Sequence, residues 1–508
     1  MKRYINWVLM VMAVSLAVAC DDDKGSYSYV EVNEITVEGL EESYLVVYKK
    51  TVLEIPITLH FTMDNDSPER YEYEWKAVSY TDNTGKGVVI GTERDLSYWV
   101  ELAPGSYALY LKVRDKETGL LWMGESRIDV GTETGKGFLL IGEDREGYVN
   151  VDMIAMPKDT VVLRNLLTDN GLPRLRGARN IHHTGAATNA FVKLWVMTDD
   201  RSYYVNTTTF YGYESNTFER LVYSNMDIPA ELNPVWIYSK NCYPSGDAAS
   251  RRVIICSDGN VFYAGLSSLE ADEAYSNPLN RVGTTPNELF KAYPCAFLTM
   301  DMMFGGALYD IDNNRFVSFG SNATTCSVLS DRAGDVFPWK QPEGRTIRFG
   351  ENIREKGSMV LMVDEPTKEF HIYQFSASFS VRKTGYYAIN KSLAPDLDKA
   401  EFFAFAPKRT MLFYTVGKTL HCYDYNPGYE RHYQMELEDE VTMMKFDNYS
   451  DWNHNSLYIA TYNERDGGTL QRYELGDNPN TLDLTKDEKC RWTNLVKVKN
   501  MDWRNSAN

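Results

Sequence analysis

"RVIICSDGNVFYAGL", residues 252–266, decides how the chain is to be read. An apolar run, Val253-Ile254-Ile255-Cys256, meets the polar group Ser257-Asp258-Gly259-Asn260, and an alternating run follows from Val261 to Leu266. Asp-Gly between two such runs is a strong short-range signal for a β-hairpin, because glycine enters the positive-φ region of a tight turn without steric cost.

The same unit of apolar strand, polar turn and alternating strand recurs along the C-terminal part. Examples are "GFLLIGEDREGYVNVDMI" (137–154), "FVKLWVMTDDRSYYVN" (191–206), "ALYDIDNNRFVSF" (307–319), "SMVLMVDEPTKEFHIYQF" (358–375), "MLFYTVGKTLHCYDY" (411–425) and "LYIATYNERDGGTLQRYEL" (457–475). The first strands begin near Phe138, Phe191, Val253, Leu308, Met359, Met411 and Leu457, at intervals of 53, 62, 55, 51, 52 and 46 residues. A four-stranded propeller blade takes about 40–50 residues, so these intervals fit blades with modest insertions. Seven units predict a β-propeller over residues 132–508, seven-bladed in the leading reading. Six or eight blades remain as alternatives, because the second unit follows a loose stretch. A solenoid is disfavoured, since nothing reads as a polar cap. A strand precedes the last hairpin, "VTMMKFD", and "VKNMDW" at 498–503 matches it: Val441 with Val498, Met444 with Met501, Phe446 with Trp503. No comparable strand precedes Phe138. The C-terminal segment is therefore expected to enter the first blade and remove the open edges of the ring. The alternative is a plain last strand of blade seven.

Residues 30–131 read differently. "TVLEIPITLHF", "YEYEWKAV", "YALYLKVRD" and "WMGESRIDV" alternate with period two, punctuated by Pro and Gly, which predicts a β-sandwich of about 100 residues. "YEYEW" places Tyr71, Tyr73 and Trp75 on one face and Glu72 and Glu74 on the other. The turn at Pro104-Gly105 leads into a strand with Tyr107, Leu109, Leu111 and Val113 inward. The whole is all-β: an immunoglobulin-type sandwich followed by a propeller.

The N-terminus supplies an address. Lys2 and Arg3 precede an apolar run from Ile5 to Ala19, which is 15 residues long and short of the roughly 20 a spanning helix needs. Residues 1–19 read as a signal peptide, with Cys20 and the block Asp21-Asp22-Asp23 next in an acidic tether over 20–29. The formal charge is −18, and −20 once Lys2 and Arg3 leave with the signal. Such a surface repels phosphate backbones, so nucleic acid is excluded as a partner. Hydrophobic residues make up 43% of the chain, enough to exclude wholesale disorder. The six remaining cysteines, Cys242, Cys256, Cys295, Cys326, Cys422 and Cys490, are scattered without a CxxC and are expected mostly as buried free thiols.

Catalytic signatures do not emerge: the chain has no HExxH, GxSxG, P-loop or GxGxxG. His182-His183 is the one histidine pair, and strand neighbours point to opposite faces, so it makes no chelate by itself. Asp199-Asp200, Asp310 with Asp312, and Glu436 with Glu438, Asp439 and Glu440 are expected as solvated turn acids rather than calcium ligands. No catalytic residue, metal or cofactor is assigned. Ligand contacts are expected from aromatic residues in loops: Tyr211, Tyr213, Trp236, Tyr243, Trp339 and Trp452.

The stretch "AVSLAVAC" resembles a bacterial lipobox, with Ala17 where Leu is commoner, and Asp21–Asp23 resemble the export tag of Bacteroidetes surface lipoproteins. That resemblance implies lipidation of Cys20 and an outer-membrane anchor facing outward. The Trp strand and the Pro-Gly turn before "YALYLKV" resemble the PKD-like domains of Bacteroidetes lipoproteins. The combination is similar to the accessory lipoproteins of SusC/SusD-type nutrient importers. It implies binding of a peptide or oligosaccharide, with the SusC/SusD-like transporter and other surface lipoproteins as partners. The alternative is a surface propeller enzyme, a glycan lyase or hydrolase.

Overall fold

The computed structural model describes residues 33–505 apart from 64–66, 68, 83, 158, 186–190, 239–250, 267–272, 300–304, 378–379, 451–454 and 479. The signal run, Cys20, Asp21–Asp23, Cys242, Tyr243, Trp452 and His454 therefore lie outside the described residues. The chain divides into two compact units, one holding 52–99, 106–128 and the chain up to 44, the other holding 45–51, 100–105 and everything from 129.

In the first unit the Tyr71–Ser79 strand lies against Gly105–Asp115 in antiparallel register, from Tyr71 opposite Asp115 to Ser79 opposite Tyr107. Period two sends Tyr71, Trp75 and Ala77 inward, where they meet Leu109, Leu111 and Val113, all buried. Trp75 satisfies its single donor on the Glu93 carbonyl at 2.9 Å. Arg70 grips Asp115 with two hydrogen bonds, at 3.2 and 2.7 Å, and holds that carboxyl well below the usual carboxylate range.

Among the described residues the second unit contains seven successive antiparallel sheets of three or four strands, with a two-stranded sheet, Arg281–Val282/Thr285–Leu289, between the third and the fourth. Blades 1 to 7 are built around the hairpins Lys136–Glu143/Val149–Ala155, Leu194–Thr198/Tyr203–Val205, Arg251–Cys256/Val261–Gly265, Gly305–Asp310/Arg315–Gly320, Gly357–Asp364/Glu369–Ala377, Met411–Val416/Thr419–Asp424 and Ser456–Asn463/Gly467–Leu475. The central strands are apolar on both faces because each is buried between two neighbouring sheets. In blade 1, Leu139 and Ile141 pack toward blade 2, while Phe138 and Leu140 pack toward blade 7. Further clusters join blades 2 and 3, 3 and 4, 4 and 5, 5 and 6, and 6 and 7. The chain of contacts returns on itself, so the unit is a closed seven-bladed β-propeller.

Closure runs through the C-terminus. The strand Lys497–Asn505 pairs with Lys136–Glu143, setting Trp503 opposite Phe138 and Met501 opposite Leu140. The Phe138 ring lies 4.8 Å from Trp503 and 4.9 Å from Tyr458 of blade 7. Where the strand enters, Gly142 is obligatory, because a Cβ there would stand 2.4 Å from the Lys497 carbonyl oxygen. Asp152 accepts the Val496 N–H at 2.9 Å, and Arg164 donates to the Asn494 and Thr493 carbonyls at 3.0 and 3.2 Å. The crossing from blade 7 to blade 1 is thus held by side chains of blade 1.

Candidate functional site

Two cavities adjoin one turn of blade 1. The turn, Asp144 to Tyr148, is closed by the Asp144 carboxylate, whose Oδ1 accepts the N–H groups of Glu146 and Tyr148, both at 2.9 Å. Tyr148 carries the Arg174 guanidinium 3.5 Å from its ring centre and that of Arg176 at 4.2 Å. Arg174 also pairs with Glu146 at 2.9 Å. Beside this stack opens a cavity of about 330 Å³, lined among others by Asp144, Asn150, Thr168, Asp169 and Leu172.

Behind the Asn170 and Leu172 lining of that cavity stands an aromatic pair. Asn170 donates to the Phe210 carbonyl at 3.0 Å and accepts the Gly212 N–H on its own carbonyl at 2.8 Å, which fixes the 168–175 loop against the 206–213 turn of blade 2. Asn206 shapes that turn by accepting the Thr208 and Thr209 N–H groups, both at 2.9 Å. Phe210 is buried with φ +58°, a conformation that costs a non-glycine residue energy and that the anchoring of its ring offsets. Gly171 sits at φ +85°, and a Cβ there would lie 2.6 Å from the Tyr211 ring. The outcome is two tyrosines held edge to face, centroids 5.2 Å apart, with Tyr211 45% and Tyr213 61% exposed. Rigid exposed aromatics of this kind provide contact area at low entropic cost.

The other aromatics named from the sequence are placed elsewhere. Trp339, expected in a loop, is 4% exposed and packs edge-on against Phe316, Phe337 and Phe375 between blades 4 and 5, with the Lys383 ammonium 4.8 Å from its ring. It is a core residue, not a ligand anchor. Trp236 is partly buried on the inner strand of blade 3, stacked with Tyr238 at 6.3 Å. Trp503 is buried in the closing strand. Asp310, read as a solvated turn acid, is fully buried instead, where it binds Arg315 at 2.9 Å and Asn313.

Other groups that could carry chemistry are engaged in structure. Arg252 and Glu273 form a buried ion pair between blades 2 and 3, joined by Lys193 at 2.7 Å and the Tyr275 hydroxyl at 2.6 Å. Burial alone would raise the Glu273 carboxyl, but Arg252 and Lys193 hold it below its ordinary value. His371 bonds Asp364 at 2.9 Å and Tyr386 at 3.0 Å, and Asp364, gripped by Arg345, is held at about 2. His421 meets His432 at 3.1 Å. His182 and His183 are buried on the inner strand of blade 2, where the His183 N–H donates to Asp502 at 2.8 Å. Cys256, Cys295, Cys326, Cys422 and Cys490 are free thiols, the first four buried, and burial pushes Cys326 up to about 12, far from a nucleophilic thiolate. Among the described residues no group of three His, Cys, Asp or Glu side chains is arranged to hold a metal ion.

A groove of about 1,050 Å³ also opens on the first unit, along Glu72, Glu74, Lys112 and Arg114. Glu74 and Lys112 pair there at 2.8 Å across the strands. It shows no exposed aromatic comparable to Tyr211 and Tyr213, so the blade 1–2 face is the stronger candidate.

The architecture defines a β-propeller protein with a PKD-like domain at its N-terminal side. The PKD-like family model matches residues 20–174. Among solved structures, the chain is similar to a quinonprotein alcohol dehydrogenase-like protein from Bacteroides thetaiotaomicron VPI-5482, at 13% identity and a TM-score of 0.35, covering 91% of this chain and 97% of that one. It is also similar to the Cps50 (Swd1) β-propeller domain of Myceliophteria thermophila, at 10% identity and a TM-score of 0.36, covering 66% of this chain and 96% of that one. A third is YCF48 from Cyanidioschyzon merolae, at 8% identity and a TM-score of 0.31, covering 64% and 93%. No curated protein matches the chain.

Sequence reading missed Tyr148, Arg174 and Arg176. The signal was present: "PRLRGAR" at 173–179 sets three arginines within six residues of an acidic chain, after a glycine-proline loop.

Proposed function

We propose that the protein is a surface lipoprotein that binds nutrient oligomers on the blade 1–2 face and assists their import by a SusC/SusD-type TonB-dependent transporter. The observation that supports this reading is the exposed Tyr211–Tyr213 pair beside a cavity of about 330 Å³. A ligand chain can stack on the rings while its polar groups meet Asp144, Asp169 and Arg174. The lipobox-like run supports anchoring through Cys20 on the outer membrane, and Asp21–Asp23 support export to the outer face. Other surface lipoproteins of the importer are the expected neighbours.

The test has three arms. Tyr211→Ala/Tyr213→Ala should weaken ligand capture about tenfold or more, the loss typical of a contact anchor, without lowering the melting temperature. Cys20→Ala should release the protein from the membrane fraction, and mild detergent extraction of the wild type should recover the transporter. Retained capture in the tyrosine variant would refute the site. Turnover of a bound oligomer, followed by mass spectrometry and abolished by one side-chain change, would replace binding by catalysis.

A further inference from the structure

A second cavity, about 690 Å³ in volume, adjoins the Asp144–Tyr148 turn at the seam of blades 7 and 1. Arg145 of that turn lines it and donates to the Arg465 carbonyl at 3.4 Å, holding the turn against the blade 7 hairpin. Asp144 and Tyr148 of the same five residues line the first cavity. The two hollows therefore share one wall. Both lie within the range of about 300–1,000 Å³ common to ligand sites.

The lining of the second cavity is distinctive. Arg145, Arg465 and Arg491 face Glu438, Asp439 and Asp466, and the remaining walls are Asn and Thr. No aromatic or aliphatic side chain is among them. The charges pair within the wall: Arg491 with Glu438 at 2.8 Å, Arg465 with Asp466 at 2.7 Å, and Asn463 with Asp439 at 2.7 Å. An ion of either sign entering this cavity meets as many like charges as opposite ones. A peptide finds no apolar surface for its side chains. A hydroxyl both donates and accepts, so vicinal hydroxyls satisfy carboxylate and guanidinium together.

We infer that one extended, neutral oligosaccharide lies across the Asp144–Tyr148 turn, with sugar units in both cavities and its end against Tyr211 and Tyr213. This rests on the reading of the blade 1–2 face as a binding face and extends it to a ligand class and a second subsite.

The experiment uses the full mature chain in native affinity electrophoresis. The gels contain neutral polysaccharides (β-glucan, galactomannan, levan and amylopectin), or polygalacturonate or chondroitin sulfate as anionic probes. Fluorescent casein peptides are assayed by polarisation. At least one neutral polysaccharide should retard the protein, and added salt should not release it, because no net charge is matched. Asn463→Ala and Arg491→Ala should weaken that retention about tenfold, with the wild-type melting temperature kept. Retention by no neutral polysaccharide, or only by polygalacturonate, chondroitin sulfate or casein peptides, overturns the inference. Loss of retention in Tyr211→Ala/Tyr213→Ala, with Asn463→Ala and Arg491→Ala unaffected, leaves the blade 1–2 site standing and removes the second subsite.

Discussion

Closure by the C-terminal strand can be tested by a double-mutant cycle on Phe138 and Trp503. Phe138 is 1% exposed and Trp503 9%, and both sit in the cluster that joins blade 7 to blade 1. Truncating a buried Phe or Trp to Ala costs about 3–5 kcal/mol. With an unfolding entropy of about 2 cal/mol/K per residue, 1 kcal/mol lowers the melting temperature of a domain this long by a little over ~1 °C, so each single variant should lose about 4–6 °C. The rings are 4.8 Å apart at 58°, a geometry worth about 0.5–1.5 kcal/mol beyond buried area. The double variant should therefore be more stable than the sum of the singles by about that amount. Urea unfolding followed by tryptophan fluorescence and far-UV circular dichroism gives the four free energies. Were the last strand only an outer strand of blade 7, the two sites would share no contact and their effects would add within about 0.3–0.5 kcal/mol. Additivity refutes closure. A cycle that couples, together with cooperative loss of the propeller on deletion of Lys497–Asn505, upholds it.

Glu273→Gln should destabilise by about 3–5 kcal/mol in thermal unfolding, because it leaves Arg252 and Lys193 buried without their countercharge; the further change Arg252→Met should recover part of that loss. Glu351→Gln should change stability in a pH-dependent way. Burial raises the Glu351 carboxyl to about 7, so its folded form holds a proton that the unfolded chain releases near 4.5, and the stability it contributes is complete below pH 4.5 and is lost as pH rises through 7. Glutamine should match the wild type near pH 4 and exceed it at pH 8, by at most about 3 kcal/mol and less in proportion to the solvent Glu351 still meets. Lys356, pushed down to about 8 by burial, works in the opposite direction, and the Glu351 charge acts to raise it, so the comparison reads the two groups together. A difference independent of pH would show that Glu351 titrates normally. Under native conditions, a thiol reagent should label Cys490 ahead of Cys256, Cys295, Cys326 and Cys422, which are buried, as peptide mapping would show.

The hairpin spacing was legible because each blade repeats one physical requirement: a strand buried on both faces, a polar turn and a return. The closing strand was legible for the same reason, since Val498, Met501 and Trp503 reproduce the inward pattern of Val441, Met444 and Phe446. What the sequence could not show is which surface aromatic stays exposed. Trp339 and Tyr213 both sit in polar, turn-rich stretches, yet one fills the gap between blades 4 and 5 and the other stands in solvent. That difference is set by which side chains oppose them across the blades. Asp310 misled for a related reason. Its neighbours Asp312 and Asn313 read as solvated turn residues, but Arg315 and Asn313 turn back onto it and allow its burial.

The inner strands raise a further question of economy. Around the centre of a ring of sheets, each innermost strand presents backbone groups with no strand beside them, and buried backbone groups need partners. Here side chains of one inner strand supply partners for the next. Asp502 of blade 1 accepts the His183 N–H of blade 2 at 2.8 Å, and Glu351 of blade 5 accepts the Phe405 N–H of blade 6 at 2.6 Å. Lys445 of blade 7 donates to the Met501 carbonyl of blade 1 at 3.1 Å, and Asn352 of blade 5 bonds the backbone of Ala296 and Leu298 ahead of blade 4 at 2.8 and 3.0 Å. These ionisable and amide groups line the inner strands where a catalytic cluster would be sought, yet each is occupied by neighbouring backbone. The turns of blades 1 and 7, by contrast, supply polar groups to the two cavities beside them. Inner strands tied to one another in this way leave the turns free to vary, which is the division the proposed binding role requires.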